Sequence, residues 1–133
     1  MFDPWGKLRN LAHIVIIWTR PHSHAPAATD GTNRIWLDPV MNQIERRCAL
    51  THELTHIKYG HYGCQVPAIE RIVRFETAEL LVKLEHLQEH APWAASLEEL
   101  AEELSVTEAV LIDRLQLLDG DELQALWPNE HHF

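Results

Sequence analysis

His52, Glu53 and His56 stand in the run His52-Glu53-Leu54-Thr55-His56. Two histidines four apart on a helix lie one above the other, so their imidazoles can converge on one ion. Zinc suits such donors. A catalytic zinc takes three protein ligands in a tetrahedral shell and keeps the fourth position open. Glu53 lies one residue along and points sideways, where it can act as general base toward a water whose pKa the ion lowers toward ~7. The chemistry indicated is peptide-bond hydrolysis. The bland alternative is a helix with two surface histidines and a solvated glutamate. Context weighs against it: the run follows a capped helix start, sits on an apolar stripe, and precedes a helix rich in carboxylates.

The third ligand must come from elsewhere. A distal histidine of the kind His-Glu-x-x-His-x-x-Gly-x-x-His would need glycine at 59 and histidine at 62, but the chain has Tyr59 and Tyr62. His61 is one position off and reads as a helix-terminal or supporting histidine. Glu70, Glu76 and Glu79 are available on the next helix. Glu76 is six positions beyond Glu70, about 240° around the helix, so the two cannot both face the metal. Glu70, near a helix start that suits a carboxylate, is preferred, with Glu76 the alternative. An oxyanion needs a further donor; Tyr59, His61, Tyr62 and His24 are candidates.

These residues need elements to hold them. The spacing predicts a weak helix over 4–11, a buried strand over 13–19, a loop or irregular edge over 21–28, and a turn at Asp30-Gly31-Thr32-Asn33. A second strand, Arg34 to Asp38, is expected to pair antiparallel with a neighbour. A helix from Pro39, capped by Asp38, should run to Tyr59 and stop at Gly60. It is apolar on two sides and so belongs inside the domain. A second helix should run from near Ala68 toward His90. A short helix starts at Ser96, with a Ser-x-x-Glu box to Glu99, and a last one covers about 108–118. The five tryptophans read as core or site-wall residues. The architecture expected is α+β and zincin-like (a minimal gluzincin), with residues 1–90 as metallopeptidase core and 91–133 as an acidic helical cap.

With 133 residues, 46% hydrophobic, the chain has the size of one globular domain. The longest apolar run, Ile14 to Trp18, is strand-sized, so no membrane span is expected. The N-terminus lacks the regions of a signal peptide, which predicts a cytoplasmic location. Cys48 and Cys64 are too few for a disulfide scaffold; Cys48 reads as a buried small hydrophobe and Cys64 as a loop thiol. The net charge is −9, and from Glu85 to Phe133 there are twelve acids against one base, Arg114. Residues 96–118 have a helix-turn-helix outline, but that charge repels phosphates, and direct nucleic-acid binding is not expected. His131 and His132 read as a loose end.

The segment Arg47 to His61 resembles the ImmA/IrrE family of metallo-endopeptidases, which shows a His-Glu-Leu-x-His run followed by Gly-His. Glu70-Arg71-Ile72-Val73-Arg74 and Thr77 to Val82 occupy the places of the family's next motif, Glu-x-x-Ala-Asn/Asp followed by Phe-Ala-Ala-x-Leu-Leu. Val73 stands for the usual alanine and Arg74 for the usual Asn/Asp. The compact form is similar to versions in actinobacterial prophages and their hosts. The resemblance implies His52, His56 and Glu70 as zinc ligands, Glu53 as the base, and regulatory proteolysis of a helix-turn-helix repressor. A rival is a non-proteolytic zinc-fold regulator that binds such a partner.

Overall fold

The computed structural model describes residues 1–61 and 65–128. The candidates Tyr62, Cys64, His131 and His132 therefore lie outside the described residues. The order of elements is α1 (Pro4–Arg9), β1 (Val15–Ile17), β2 (Ala27–Thr29), β3 (Arg34–Leu37), α2 (Gln43–Lys58), α3 (Pro67–Leu81), α4 (Leu84–His90), a 3-10 turn (Ala91–Trp93), α5 (Leu97–Glu103), α6 (Glu108–Gln116) and α7 (Gly120–Leu126). The class is α+β, seven α-helices with one small sheet among the described residues. No helix there is long and apolar enough to cross a membrane.

The sheet is mixed, which corrects the expected antiparallel one. Its order is β1-β3-β2; β3 runs parallel to β1 and antiparallel to β2. Residues 18–26 carry the chain from one sheet edge to the other, and β3 then inserts between. The β2–β3 hairpin is tied by Asp30, whose Oδ1 accepts from the backbone N–H of Thr32, Asn33 and Arg34 at 2.9–3.0 Å. Gly31 supplies the positive φ, 80°, that the turn requires. The short strand β2 begins inside the segment expected to be loop and runs one residue past it.

Helix α2 begins later than expected. Asn42, not Asp38, is its cap: Asn42 Oδ1 accepts from Glu45 N at 2.8 Å, and Glu45 Oε1 accepts from Asn42 N at 2.9 Å. Asp38 instead folds the chain into a tight turn. Its carboxylate accepts from Val40 N and from Arg20, each at 2.9 Å, and these bonds hold its pKa below the usual range. At the other end, Gly60 N donates to Ile57 O and His61 N to His56 O, each at 3.0 Å. This is a Schellman closure, with Gly60 at φ +66°.

The two apolar sides of α2 serve two cores. Leu50 and Leu54 pack with Ile14, Ile35, Leu37 and Met41 beneath the sheet. Cys48, buried as expected, joins Leu81, Val82, Leu87, Leu100, Leu104, Leu111 and Leu126 from the later helices. Full burial of each such aliphatic side chain contributes roughly 1.5–3 kcal/mol. The tryptophans are less buried than expected; Trp93 is 86% exposed.

The single helix expected over 68–90 is two helices. Val82 is extended (φ −127°, ψ 104°), and the carbonyl that a continued helix would use accepts instead from the buried Arg114 Nε at 2.7 Å. Helix α7 lies beyond the last helix expected, and Asp119 and Glu122 form a second capping box at its start.

Gly60→Ala tests the closure of α2. A Cβ there meets nothing within 4 Å, so the cost is conformational, about 1 kcal/mol. Thermal denaturation should show a loss of that size.

Candidate metal centre

The histidines are separated by one turn of α2, as their spacing predicts, and α3 brings the carboxylate. Nε2 of His52 and Nε2 of His56 lie 3.2 Å apart. Glu70 Oε2 is 3.2 Å from His52 Nε2, and Glu70 Oε1 is 3.0 Å from His56 Nε2. Ligand atoms ~2.0–2.1 Å from a tetrahedral zinc stand roughly 3.3–3.4 Å from one another. The triangle therefore has the size of three donors sharing one cation, and the set fits a divalent ion.

The other candidates divide. His61 sits behind His56, with Nδ1 of each 3.0 Å apart. The Schellman closure places it there, since His61 N is bonded to His56 O. For His56 to aim the Nε2 lone pair at an ion, its proton must sit on Nδ1, and His61 Nδ1 is then the acceptor. Tyr59 stacks on His61, but its hydroxyl donates to Glu76 Oε1. Glu76 also accepts from Lys58 and does not join the histidines. His24 is exposed and absent from the residues lining the cleft, whereas its neighbour His22 lines it.

The triangle opens on a cleft of about 690 Å³. Its lining includes Ala27, Ala28 and Thr29 of β2, and Arg74 of α3 with Val110 and Asp113 of α6. Sequence reasoning missed both groups. A signal for the second existed: Arg74 is four residues after Glu70 and so shares its face of α3. Among the described residues, no backbone hydrogen bond reaches the outer edge of β2. Pro26 O accepts from Asp38 N and Asp30 N donates to Arg34 O, so the even-numbered residues bond to β3. The backbone groups of Ala27 and Thr29 then point the other way.

Glu53 is buried beside the triangle and lines the same cleft. No protein group among the described residues hydrogen-bonds its carboxyl. Burial, helped by the nearby Glu70 charge, pushes it up to about 8. Burial also lowers His52 and His56, with Glu70 opposing. All three shifts disfavour the charged form, which for the histidines is the protonated one that cannot ligate.

The chain matches the family model for the IrrE N-terminal-like domain, Peptidase_M78, over residues 17–116. It belongs to that family, whose members are metallopeptidases. No curated protein and no solved structure matches it.

The pKa shifts predict a pH signature for the metal-free protein. A raised Glu53 binds a proton in the native state that the unfolded chain has released, so stability falls as pH rises from about 4.5 to about 8. The lowered histidines act oppositely until the unfolded chain's histidines have also lost their protons, about one pH unit above 6.5. Between about 7.5 and 8 the Glu53 slope therefore dominates. Melting with chelator present should show stability falling with pH in that window, and Glu53→Gln should flatten it.

Proposed function

We propose that this protein is a zinc-dependent endopeptidase of the zincin-like, minimal gluzincin kind, with residues 91–133 as a helical cap. Its substrate is an extended segment of another protein, a helix-turn-helix repressor by family resemblance. The observation that carries the reading is the His52–His56–Glu70 triangle, sized for one ion and open to a cleft lined by the edge strand β2. His52 and His56 would hold zinc through Nε2 and Glu70 through its carboxylate. When bound, zinc supplies Lewis-acid chemistry, polarising the scissile carbonyl and acidifying water.

The remaining work falls to the chain's own groups. A divalent charge nearby favours the ionised form of Glu53, against the burial that otherwise keeps it protonated. Glu53 takes a proton from the attacking water as the water oxygen bonds to the carbonyl carbon. It then gives that proton to the amine nitrogen as the C–N bond breaks. His61 holds His56 in the tautomer that presents Nε2. The substrate backbone adds to the outward N–H and C=O groups of Ala27 and Thr29, which lays an extended peptide across the triangle.

Two variants test this reading. Glu53→Gln should retain about one zinc per chain by metal analysis while cutting peptide hydrolysis roughly 10²–10⁴-fold. If this variant still relieves repression fully in a reporter strain, proteolysis is not the mechanism and a binding regulator is. Ala27→Pro removes one outward N–H and spares the ladder to β3. It should raise KM a few-fold to about ten-fold, the worth of roughly 1 kcal/mol. Unchanged kinetics would remove β2 from the substrate path.

A further inference from the structure

The cleft holds a polar pair that hydrolysis does not use. Arg74 sits one turn of α3 beyond Glu70. Its guanidinium is clamped side-on by Asp113: Nε donates to Oδ2 at 3.2 Å and Nη2 to Oδ1 at 2.7 Å. The partners are unequally exposed. The Asp113 side chain is 8% exposed and that of Arg74 52%, and both line the cleft. Nη1 makes no hydrogen bond among the described residues.

A solvent-facing ion pair is worth little to stability, and burying a carboxylate costs free energy. The pair does something else well: it freezes a long side chain. The fork that remains on Arg74 is a planar, always-charged donor set that matches a carboxylate. It stands in the same cleft as the triangle, on the helix that supplies Glu70. The Glu70 charge would oppose an incoming anion in the metal-free protein, and a bound divalent ion offsets it.

Building on the hydrolase reading, we propose that Arg74, positioned by Asp113, is a carboxylate-binding subsite of this cleft. It receives an acidic side chain, or the terminal carboxylate, of a peptide lying along β2. Arg74 touches the substrate, and Asp113 acts through Arg74.

The test uses the full chain, zinc-loaded, with Glu53→Gln to prevent turnover. Fluorescent octapeptides carry Glu or Gln at each position in turn, each with a free or an amidated C-terminus, and affinity is read by anisotropy. The expected result is one position, or the free terminus, at which the carboxylate tightens binding about ten-fold or more. An internal position identifies an acidic side chain as the occupant, and the terminus identifies the chain end. In Arg74→Gln/Asp113→Asn, which leaves no buried carboxylate unpaired, the ratio should fall to near one. Arg74→Lys keeps the charge without the fork and should retain part of it. Equal binding of every Glu/Gln and free/amidated pair, no binding at all, or a preference that survives the double variant overturns the subsite. Cleavage of the same peptides by the unsubstituted protein tests the hydrolase separately. A carboxylate preference without cleavage sinks the hydrolase and leaves the subsite.

Discussion

The docking of α3 onto α2 is the contact on which the rest depends. One helix sets His52 and His56, but the third donor arrives from another element, and the triangle closes only when Glu70 lies 3.0–3.2 Å from both Nε2 atoms. Without an ion, these contacts are attractive only where an Nε2 carries a proton. Burial lowers both histidines, which keeps them in the neutral form that can ligate, and raises Glu53, against the charge that a general base needs. Apolar packing supplies the opposing free energy. Val73, Ala78 and Leu81 of α3 are buried, and α2 is held from two sides by the two cores. A cation would relieve what the packing has to oppose, which couples metal binding to folding.

Three arginines extend that constraint. Arg47 of α2 donates to Ser105 O at 2.6 Å and Phe2 O at 3.0 Å, tying the site helix to the α5–α6 turn and the N-terminus. Arg114 holds the Val82 carbonyl and so fixes where α3 ends. Arg74 bonds to Asp113 of α6. Each bond joins the α2–α3 pair to a distant stretch of chain. Each also satisfies a carbonyl or carboxylate that burial would otherwise penalise. The later helices are thereby fastened to the helices that carry the donors, by directional contacts as well as by the apolar cluster around Leu100 and Leu111.

What was legible in the sequence was local. The four-residue spacing of His52 and His56, the two apolar sides of α2, its stop at Gly60 and the opposed faces of Glu70 and Glu76 all follow from helix periodicity, and the structure has each of them. The misses are non-local or rest on weak residues. Ala27-Ala28-Thr29 has little strand propensity and becomes a strand only because β3 lies beside it. The parallel pairing of β1 and β3 depends on a crossover that no single segment announces. Nothing near Val82 breaks a helix; the break is held by Arg114, 32 residues away. The spacing of Arg74 from Glu70 was readable, but its clamp was not, because its partner Asp113 lies 39 positions later. By contrast, α7 carried a readable Asp119-x-x-Glu122 box, and the capping rule would have found it.

The charge distribution and the cleft bear on each other. The segment after Glu85 is strongly acidic, yet the residues it contributes to the cleft are Val110 and Asp113, and the Asp113 charge is taken up by Arg74. The wall made partly from the most acidic stretch of the chain thus presents a guanidinium edge. Acidic surfaces repel anionic partners over about a Debye length, and salt screens that repulsion. A fork contact at hydrogen-bond distance inside a cleft is screened much less. A surface of this charge disfavours polyanions at long range, while the proposed Arg74 subsite would take a single carboxylate at short range. On the proposed function, that discrimination would suit a peptide occupant, and it would need both the acidic exterior and the clamped Arg74.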